Sequence, residues 1–112
     1  MALVPYMLIE EGPDKGRTFD TDAVRFVIGR GKSHAQFVLS GEDPAVSRAH
    51  CQIDRRGDTF ILTNRSPNRT SVNGVVTDQT VLNDNDLIKI GQSTVIRFSL
   101  RERSELEANP NL

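Results

Sequence analysis

Three short groups of polar residues occur in a fixed order along this chain and carry side chains suited to binding an anion. They are Gly29-Arg30, Ser47-Arg48-Ala49-His50 and Val72-Asn73-Gly74. Each group stands at the end of a strand-like run, and the first two supply guanidinium and hydroxyl donors. Arginine presents a planar fork of N–H donors that can bind an oxyanion through two parallel hydrogen bonds. The pattern predicts an anion-binding site built from loops at the edges of β-strands.

The composition limits the kinds of partner and of chemistry. The 112 residues carry a formal net charge of −1, so the chain lacks the positive field typical of nucleic-acid or membrane-surface binding. Cys51 is the single cysteine, which excludes an internal disulfide and the usual cysteine-rich zinc sites. We expect no cofactor and no metal. Without a disulfide framework or a run of the roughly 20 apolar residues of a membrane helix, a cytoplasmic location is expected.

Short apolar or alternating runs, separated by turn residues, indicate an all-β fold. Asn73-Gly74 is the strongest local signal, because it supplies the two positive-φ residues of a type I′ hairpin turn. No segment has a sustained helical apolar period. About ten short runs with turns between them predict a β-sandwich. The runs are Tyr6–Ile9, Arg17–Phe19, Arg25–Ile28, Phe37–Leu39, His50–Asp54, Thr59–Thr63, Ser71-Val72, Val75-Val76, Asp86–Ile90 and Thr94–Phe98.

The length and the distribution of these runs predict one domain followed by a tail. We place the domain at residues 1–100, with its last strand running from Thr94 toward Leu100. Residues 101–112 are rich in Arg and Glu at first and then contain Asn109-Pro110, which breaks a helix. This tail is predicted to be a frayed helix or a linker.

The three groups, together with Asn68-Arg69-Thr70 and the stretch Leu82–Gly91, resemble the forkhead-associated (FHA) domain family. The resemblance extends from about Tyr6 to Leu100. It implies an eleven-stranded β-sandwich whose loops at one end bind phosphothreonine peptides, with no catalysis. The partner it implies is a phosphothreonine-containing protein, either a serine/threonine kinase or its substrate.

The resemblance also implies a role for each residue of the binding loops. Arg30 would reach the phosphate from a rigid base, and Ser47 would donate its hydroxyl to a phosphate oxygen. Arg48 stands at a position whose side chain or backbone N–H commonly touches the phosphate. Asn68 would hydrogen-bond the peptide backbone. Arg69 replaces a common glycine, and would either contact the phosphate or an acidic residue, or crowd the peptide.

Four other positions are implied to shape the loops. Gly29 would let the chain turn sharply before Arg30. His50 and Asn73 would tie the recognition loops to each other, and Gly74 would complete the turn at Asn73. Pro67 stands where a hydroxyl residue often contacts the phosphate, so that donor is missing from this chain.

Two other functions remain open. The first is a phosphate-independent scaffold that uses the same fold to dock another domain or subunit, which the missing hydroxyl at Pro67 and the bulk of Arg69 favour. The second is a small enzyme that uses Cys51 or the histidines. His50 and Cys51 are adjacent on a predicted strand, so their side chains point to opposite faces and cannot form a nucleophilic dyad. Arg56-Gly57-Asp58 fits a tight turn better than an adhesion motif.

Overall fold

The computed structural model describes residues 3–108, which form two β-sheets packed face to face. Within this range there are eleven strands and one short helix. One sheet has the strand order β2-β1-β11-β10-β7-β8, and the other has β4-β3-β5-β6-β9. The elements are β1 (Leu3–Glu11), β2 (Thr18–Asp20), β3 (Arg25–Gly29), β4 (Phe37–Val38), β5 (Cys51–Arg56), β6 (Thr59–Asn64), β7 (Thr70–Val72), β8 (Val75–Val76), β9 (Gln79–Leu82), β10 (Asp86–Ile90), β11 (Thr94–Glu102) and α1 (Arg103–Ala108). The predicted all-β sandwich is therefore confirmed.

Every run predicted from the sequence falls on one of these strands, and one strand was missed. β9 has the sequence Gln79-Thr80-Val81-Leu82, of which only Leu82 is buried. It forms because its backbone pairs with β6, from Phe60 opposite Leu82 to Thr63 opposite Gln79. The predicted hairpin turn is confirmed, since Asn73 and Gly74 have φ angles of 50° and 82°.

Large apolar side chains from both sheets fill the space between them. Phe60 and Phe98, one from each sheet, pack with ring centroids 5.7 Å apart. Cys51 is fully buried in this core and belongs to it as a small apolar residue. The largest fully buried apolar side chains are Phe26, Phe37, Phe98, Met7, Ile9, Ile28, Ile53, Leu62, Ile88, Ile90 and Ile96.

Strand pairing brings three loops to one end of the sandwich. β3 runs antiparallel to β5 with Ile28 opposite Cys51, and β5 runs antiparallel to β6 with Cys51 opposite Asn64. The chain leaving β3, the chain entering β5 and the chain leaving β6 therefore meet at the same edge. We call residues 30–36, 39–50 and 65–69 the apical loops.

The last strand is longer than the sequence predicts. β11 continues to Glu102, because Arg101 and Glu102 pair with Val4 and Leu3 of β1. The helical part of the predicted tail begins at Arg103, and residues 109–112 lie outside the described range. No helix in the described part of the chain is long and apolar enough to cross a membrane.

Candidate functional site

Arg30 leaves the end of β3 with its backbone and its side chain both held. Its N–H donates to the carbonyl of Ser47 at 3.1 Å, and its Nε–H donates to the carbonyl of Val46 at 2.8 Å. The terminal nitrogens of its guanidinium have no acceptor within residues 3–108. The exposed guanidinium is thus oriented by the loop before β5 while its outer N–H donors stay available for an anion.

Ser47 lies beside this guanidinium and is joined to the loop after β6 through a second serine. Its Oγ is 2.5 Å from the Oγ of Ser66, and the Ser66 Oγ accepts the N–H of Asn68 at 2.9 Å. When the Ser66 hydroxyl donates to the Ser47 oxygen, the Ser47 proton is left to bind a ligand oxygen. Ser66 was missed by sequence reasoning, because a lone serine in a polar loop carries no distinguishing signal.

Asn68 bridges two of the apical loops at the surface. Its Nδ2 donates to the carbonyl of Ala45 at 2.9 Å. Its Oδ1 has no donor among the residues that the structure describes, so it can accept a backbone N–H from an extended segment laid across the loops. The side chain is exposed although the backbone N–H is held by Ser66.

Arg48 and Arg69 are exposed, and neither guanidinium has a partner within the described range. The carbonyl of Arg48 accepts the N–H of Gly31 at 3.1 Å, which holds this residue against the start of the first apical loop. The carbonyl of Arg69 accepts a hydrogen bond from His50. Structure and sequence agree that Arg30, Ser47, Arg48, Asn68 and Arg69 share one end of the fold.

His50 ties two apical loops together through both of its ring nitrogens. Nδ1 accepts the N–H of Ser47 at 3.0 Å, and Nε2 lies 3.2 Å from the carbonyl of Arg69. Because a backbone N–H only donates, Nδ1 must be unprotonated and Nε2 must carry the proton. Burial lowers the pKa of His50, against the opposing effects of the Arg69 carbonyl and the Asp43 charge. The ring is a neutral, fully buried brace of the kind the family resemblance implies.

Gly29 is needed for a different reason from the one predicted. It is the last residue of β3 and is not among the glycines with a positive φ, so it makes no sharp turn of the kind only glycine allows. A Cβ at this position would lie 2.1 Å from the carbonyl oxygen of Arg48 and 2.8 Å from that of Ser47. Glycine is required because the two backbones approach closely, and this contact holds Arg30 beside Ser47.

Asn73 and Gly74 do not tie the recognition loops to each other, which corrects the expectation. They form the turn between β7 and β8, at the far end of β7 from Thr70 and the apical loops. Asn73 Nδ2 donates to Asp86 Oδ1 at 2.9 Å, and Asn73 Oδ1 accepts the N–H of Leu87 at 2.9 Å. The antiparallel register places the start of β10 at that far end, so this side chain braces a distal turn.

Asp43 is a loop brace that sequence reasoning missed. It lies before β5 and is buried, with 4% exposure. Its carboxylate accepts the N–H groups of Gln92 and Ser93 at 3.0 Å each and the Thr94 hydroxyl at 2.8 Å. Burial alone would raise the pKa of Asp43, but these donors outweigh it and bring the pKa to about 2. The turn after β10 thereby anchors the middle apical loop.

A model of the FHA domain family matches residues 26–91 of the chain. The chain is also 38% identical over 82 residues to the FHA domain-containing protein FhaA of Mycobacterium tuberculosis, a match covering 72% of this chain and 15% of that protein. The chain therefore spans about 15% of the length of this curated relative.

Solved structures give the same result. The FhaA FHA domain, complexed with the intracellular domain of Rv3910, is 33% identical with a TM-score of 0.70, over 83% of this chain and 99% of that one. A domain from a study of phosphothreonine-dependent FHA domain interactions is 31% identical with a TM-score of 0.76, over 88% of this chain and 98% of that one. Because the family model covers more than half of the chain and these domains match most of its length, the chain belongs to the FHA domain family.

Proposed function

We propose that this domain binds phosphothreonine-containing segments of partner proteins through its apical loops. The observation that carries the proposal is the pairing of Arg30 and Ser47. The guanidinium is held by the Val46 carbonyl, and the hydroxyl is held by Ser66, so both donors are positioned before any ligand arrives. The related domain from the study of phosphothreonine-dependent interactions supports the same ligand.

The chemistry of the ligand fits the donors. A phosphothreonine carries a charge of about −1.5 to −2 and three strong acceptor oxygens. Arg30 and Arg48 supply the cations, Ser47 supplies a hydroxyl, and the Oδ1 of Asn68 is free to fix the peptide backbone. Each charge-assisted hydrogen bond contributes roughly 1.5–3 kcal/mol, from which the ordering of the peptide is subtracted. We expect dissociation constants in the micromolar range.

The domain acts by binding, with no catalysis of its own. Burial raises the pKa of the Cys51 thiol to about 12, so this side chain is a poor nucleophile near neutral pH. Both ring nitrogens of His50 are engaged in bracing the loops. The proposed partner is a phosphorylated protein, either a serine/threonine kinase or its substrate, and the proposed setting is the cytoplasm.

A titration with a phosphothreonine peptide library of randomised flanks tests the proposal. We expect binding that disappears when the threonine is unphosphorylated. Arg30→Gln and Ser47→Ala should each weaken it by about tenfold or more, since each removes one charge-assisted bond. Arg56→Gln is the matched control, because Arg56 is exposed and ends β5 away from the apical loops. Equal binding of the unphosphorylated library would overturn the proposal.

A second function, docking without phosphate, is favoured by an apolar surface on the side of the sandwich. Val75 and Val76 of β8 and Val81 of β9 are 66%, 56% and 51% exposed. Both strands are outer strands of their sheets. Association with a partner that survives phosphatase treatment and Arg30→Gln, but not Val81→Asp, would support this function. Loss of the partner on phosphatase treatment would exclude it.

A further inference from the structure

The apical loops concentrate positive charge on a chain that is otherwise slightly acidic. The three segments contain five basic residues, Arg30, Lys32, Arg48, Arg65 and Arg69, against the two acidic residues Glu42 and Asp43. Asp43 is buried and accepts hydrogen bonds from the turn after β10. The whole chain has a net charge of −1. The exposed face of the apical loops is therefore strongly cationic relative to the rest of the molecule.

A single phosphate does not account for this charge. Its charge of about −1.5 to −2 is matched by two guanidinium groups, and the proposed site already supplies two, those of Arg30 and Arg48. Arg65 is directed elsewhere, because its Nη1 donates to Gln52 Oε1 of β5 at 3.3 Å. Lys32 and Arg69 remain as exposed cations without a partner in residues 3–108, and of the two Arg69 lies next to Asn68, which bridges the loops.

The backbone of Arg69 is fixed beside the phosphate donors. The imidazole of His50 bonds to both the Arg69 carbonyl and the N–H of Ser47, so a single ring separates these two groups. The residue before it, Asn68, is bonded to Ala45 and Ser66, and the residue after it, Thr70, is buried and donates to Asn64 Oδ1 at 2.9 Å. The backbone of Arg69 is therefore ordered before a ligand binds, and only its side chain loses conformational freedom on binding.

From this placement we propose that Arg69 binds a second anionic group close in sequence to the phosphothreonine, so that the preferred ligands are acidic-flanked or doubly phosphorylated segments. The inference rests on the proposed function. An extended peptide advances about 3.3 Å per residue, so an anion a few residues from the phosphothreonine stays within the span of the apical loops. The required chemistry is a carboxylate or a phosphate, and both can accept a bidentate guanidinium.

The test compares peptides that differ only in the second anion. The base peptide has one phosphothreonine flanked by alanines, and its variants carry Asp, Asn or phosphoserine at successive flanking positions. At the best position we expect Asp to tighten binding by about two- to fivefold over Asn, a gain typical of an exposed ion pair. A larger gain from phosphoserine than from Asp would identify a doubly phosphorylated segment as the source. The gain should shrink as salt is added.

Two variants assign the gain to a residue. Arg69→Gln should lose the gain from the second anion, so that it binds the Asp and Asn peptides equally well. Arg65→Gln, a neighbouring arginine turned along β5, should keep it. The inference is overturned if Arg69→Gln keeps the gain, or if it tightens binding of every peptide, which would mean that Arg69 crowds the ligand.

The same experiment separates this inference from the proposed function. Binding that requires the phosphothreonine but ignores the flanking anion overturns the role of Arg69 and leaves phosphothreonine recognition standing. Equal binding of a peptide with unphosphorylated threonine overturns both.

Discussion

The protonation state of His50 determines whether its imidazole can hold the two loops of the candidate site together. Its Nδ1 must stay unprotonated to accept the N–H of Ser47, while its Nε2–H donates to the Arg69 carbonyl. A proton added at Nδ1 would set two donors against each other inside a fully buried site. The loops on both sides of the ring would then lose their common support.

The lowered pKa of His50 predicts how stability depends on pH. The unfolded chain takes up a proton at about pH 6.5, whereas the folded domain resists protonation until the pH is lower. Between these values the unfolded state binds more protons, so the free energy of unfolding falls as the pH is lowered. The contribution of His50 is fully present above about pH 6.5 and is lost as the pH falls through the folded pKa. Urea unfolding without peptide measures it.

Two variants make this prediction specific. His50→Gln should remove the pH dependence between about pH 7 and pH 5, where carboxylates stay ionised. His34→Gln should leave it unchanged, because His34 is exposed. A pH dependence that persists in His50→Gln and disappears in His34→Gln would contradict the assignment. The phosphate titrates near pH 6 as well, which is why unfolding rather than binding is measured.

Asp43 stabilises the middle apical loop through its charge. Because the pKa of its carboxyl falls from 3.8 to about 2, Asp43→Asn should lower the free energy of unfolding near neutral pH by about 2 kcal/mol. The pKa is depressed in the folded state, so the contribution is present above about pH 4 and is lost as the pH falls toward about 2. Denaturant unfolding at both ends of this range tests it.

Glu42→Gln, at an exposed neighbour, should change stability by less than about 0.5 kcal/mol. An Asp43→Asn variant as stable as Glu42→Gln would refute this role.

At the scale of strands and turns, the sequence predicts the elements that have a periodic apolar pattern or a short local motif. The strand runs are visible because their apolar residues alternate or cluster, and the turn at Asn73-Gly74 is visible because its backbone needs positive φ angles. β9 was missed because long-range pairing with β6, and not its own polar sequence, makes it a strand. The reason why position 29 must be glycine was not visible in the sequence, because the approach of the Arg48 carbonyl joins residues distant in sequence.

The turn between β7 and β8 contributes to stability and not to recognition. Asn73→Ala removes two side-chain hydrogen bonds to the start of β10, at Asp86 and Leu87. The free energy of unfolding should fall by about 1–3 kcal/mol. Affinity for a phosphothreonine peptide should stay within about twofold at temperatures where the variant is folded, since the turn lies away from the apical loops.

Asn85→Ala is the matched control for this prediction. Asn85 also has a positive φ, of 71°, but its side chain makes only a long contact of 3.4 Å with the neighbouring Asp84. Asn85→Ala therefore loses the stability that asparagine gives at a positive φ, but it loses no hydrogen bond comparable to those of Asn73. A folded Asn73→Ala variant that binds phosphopeptide much more weakly would show that the distal turn shapes the binding surface after all.

Across the whole molecule, the sandwich separates the apical loops, where we propose that ligands bind, from the turn of Asn73 and Gly74 at the other end. The structure brings together at the apical loops the five residues that the family resemblance groups, and their roles in binding stay predictions. They are Arg30, Ser47, Arg48, Asn68 and Arg69. The braces at Ser66 and Asp43 were not visible, because their roles depend on partners 19 to 51 positions away. Such contacts leave no periodicity or short motif in the sequence.

The proposed function depends most on where the domain binds a phosphorylated ligand. Backbone amide NMR shifts, recorded with one phosphothreonine peptide and with its unphosphorylated form, locate that surface directly. We predict that only the phosphorylated peptide perturbs amides, and that the largest shifts fall in residues 29–31, 46–50 and 65–69, with the amides of Val75, Val76 and Val81 unchanged. Shifts that do not depend on the phosphate, or that centre on β8 and β9, would contradict the account.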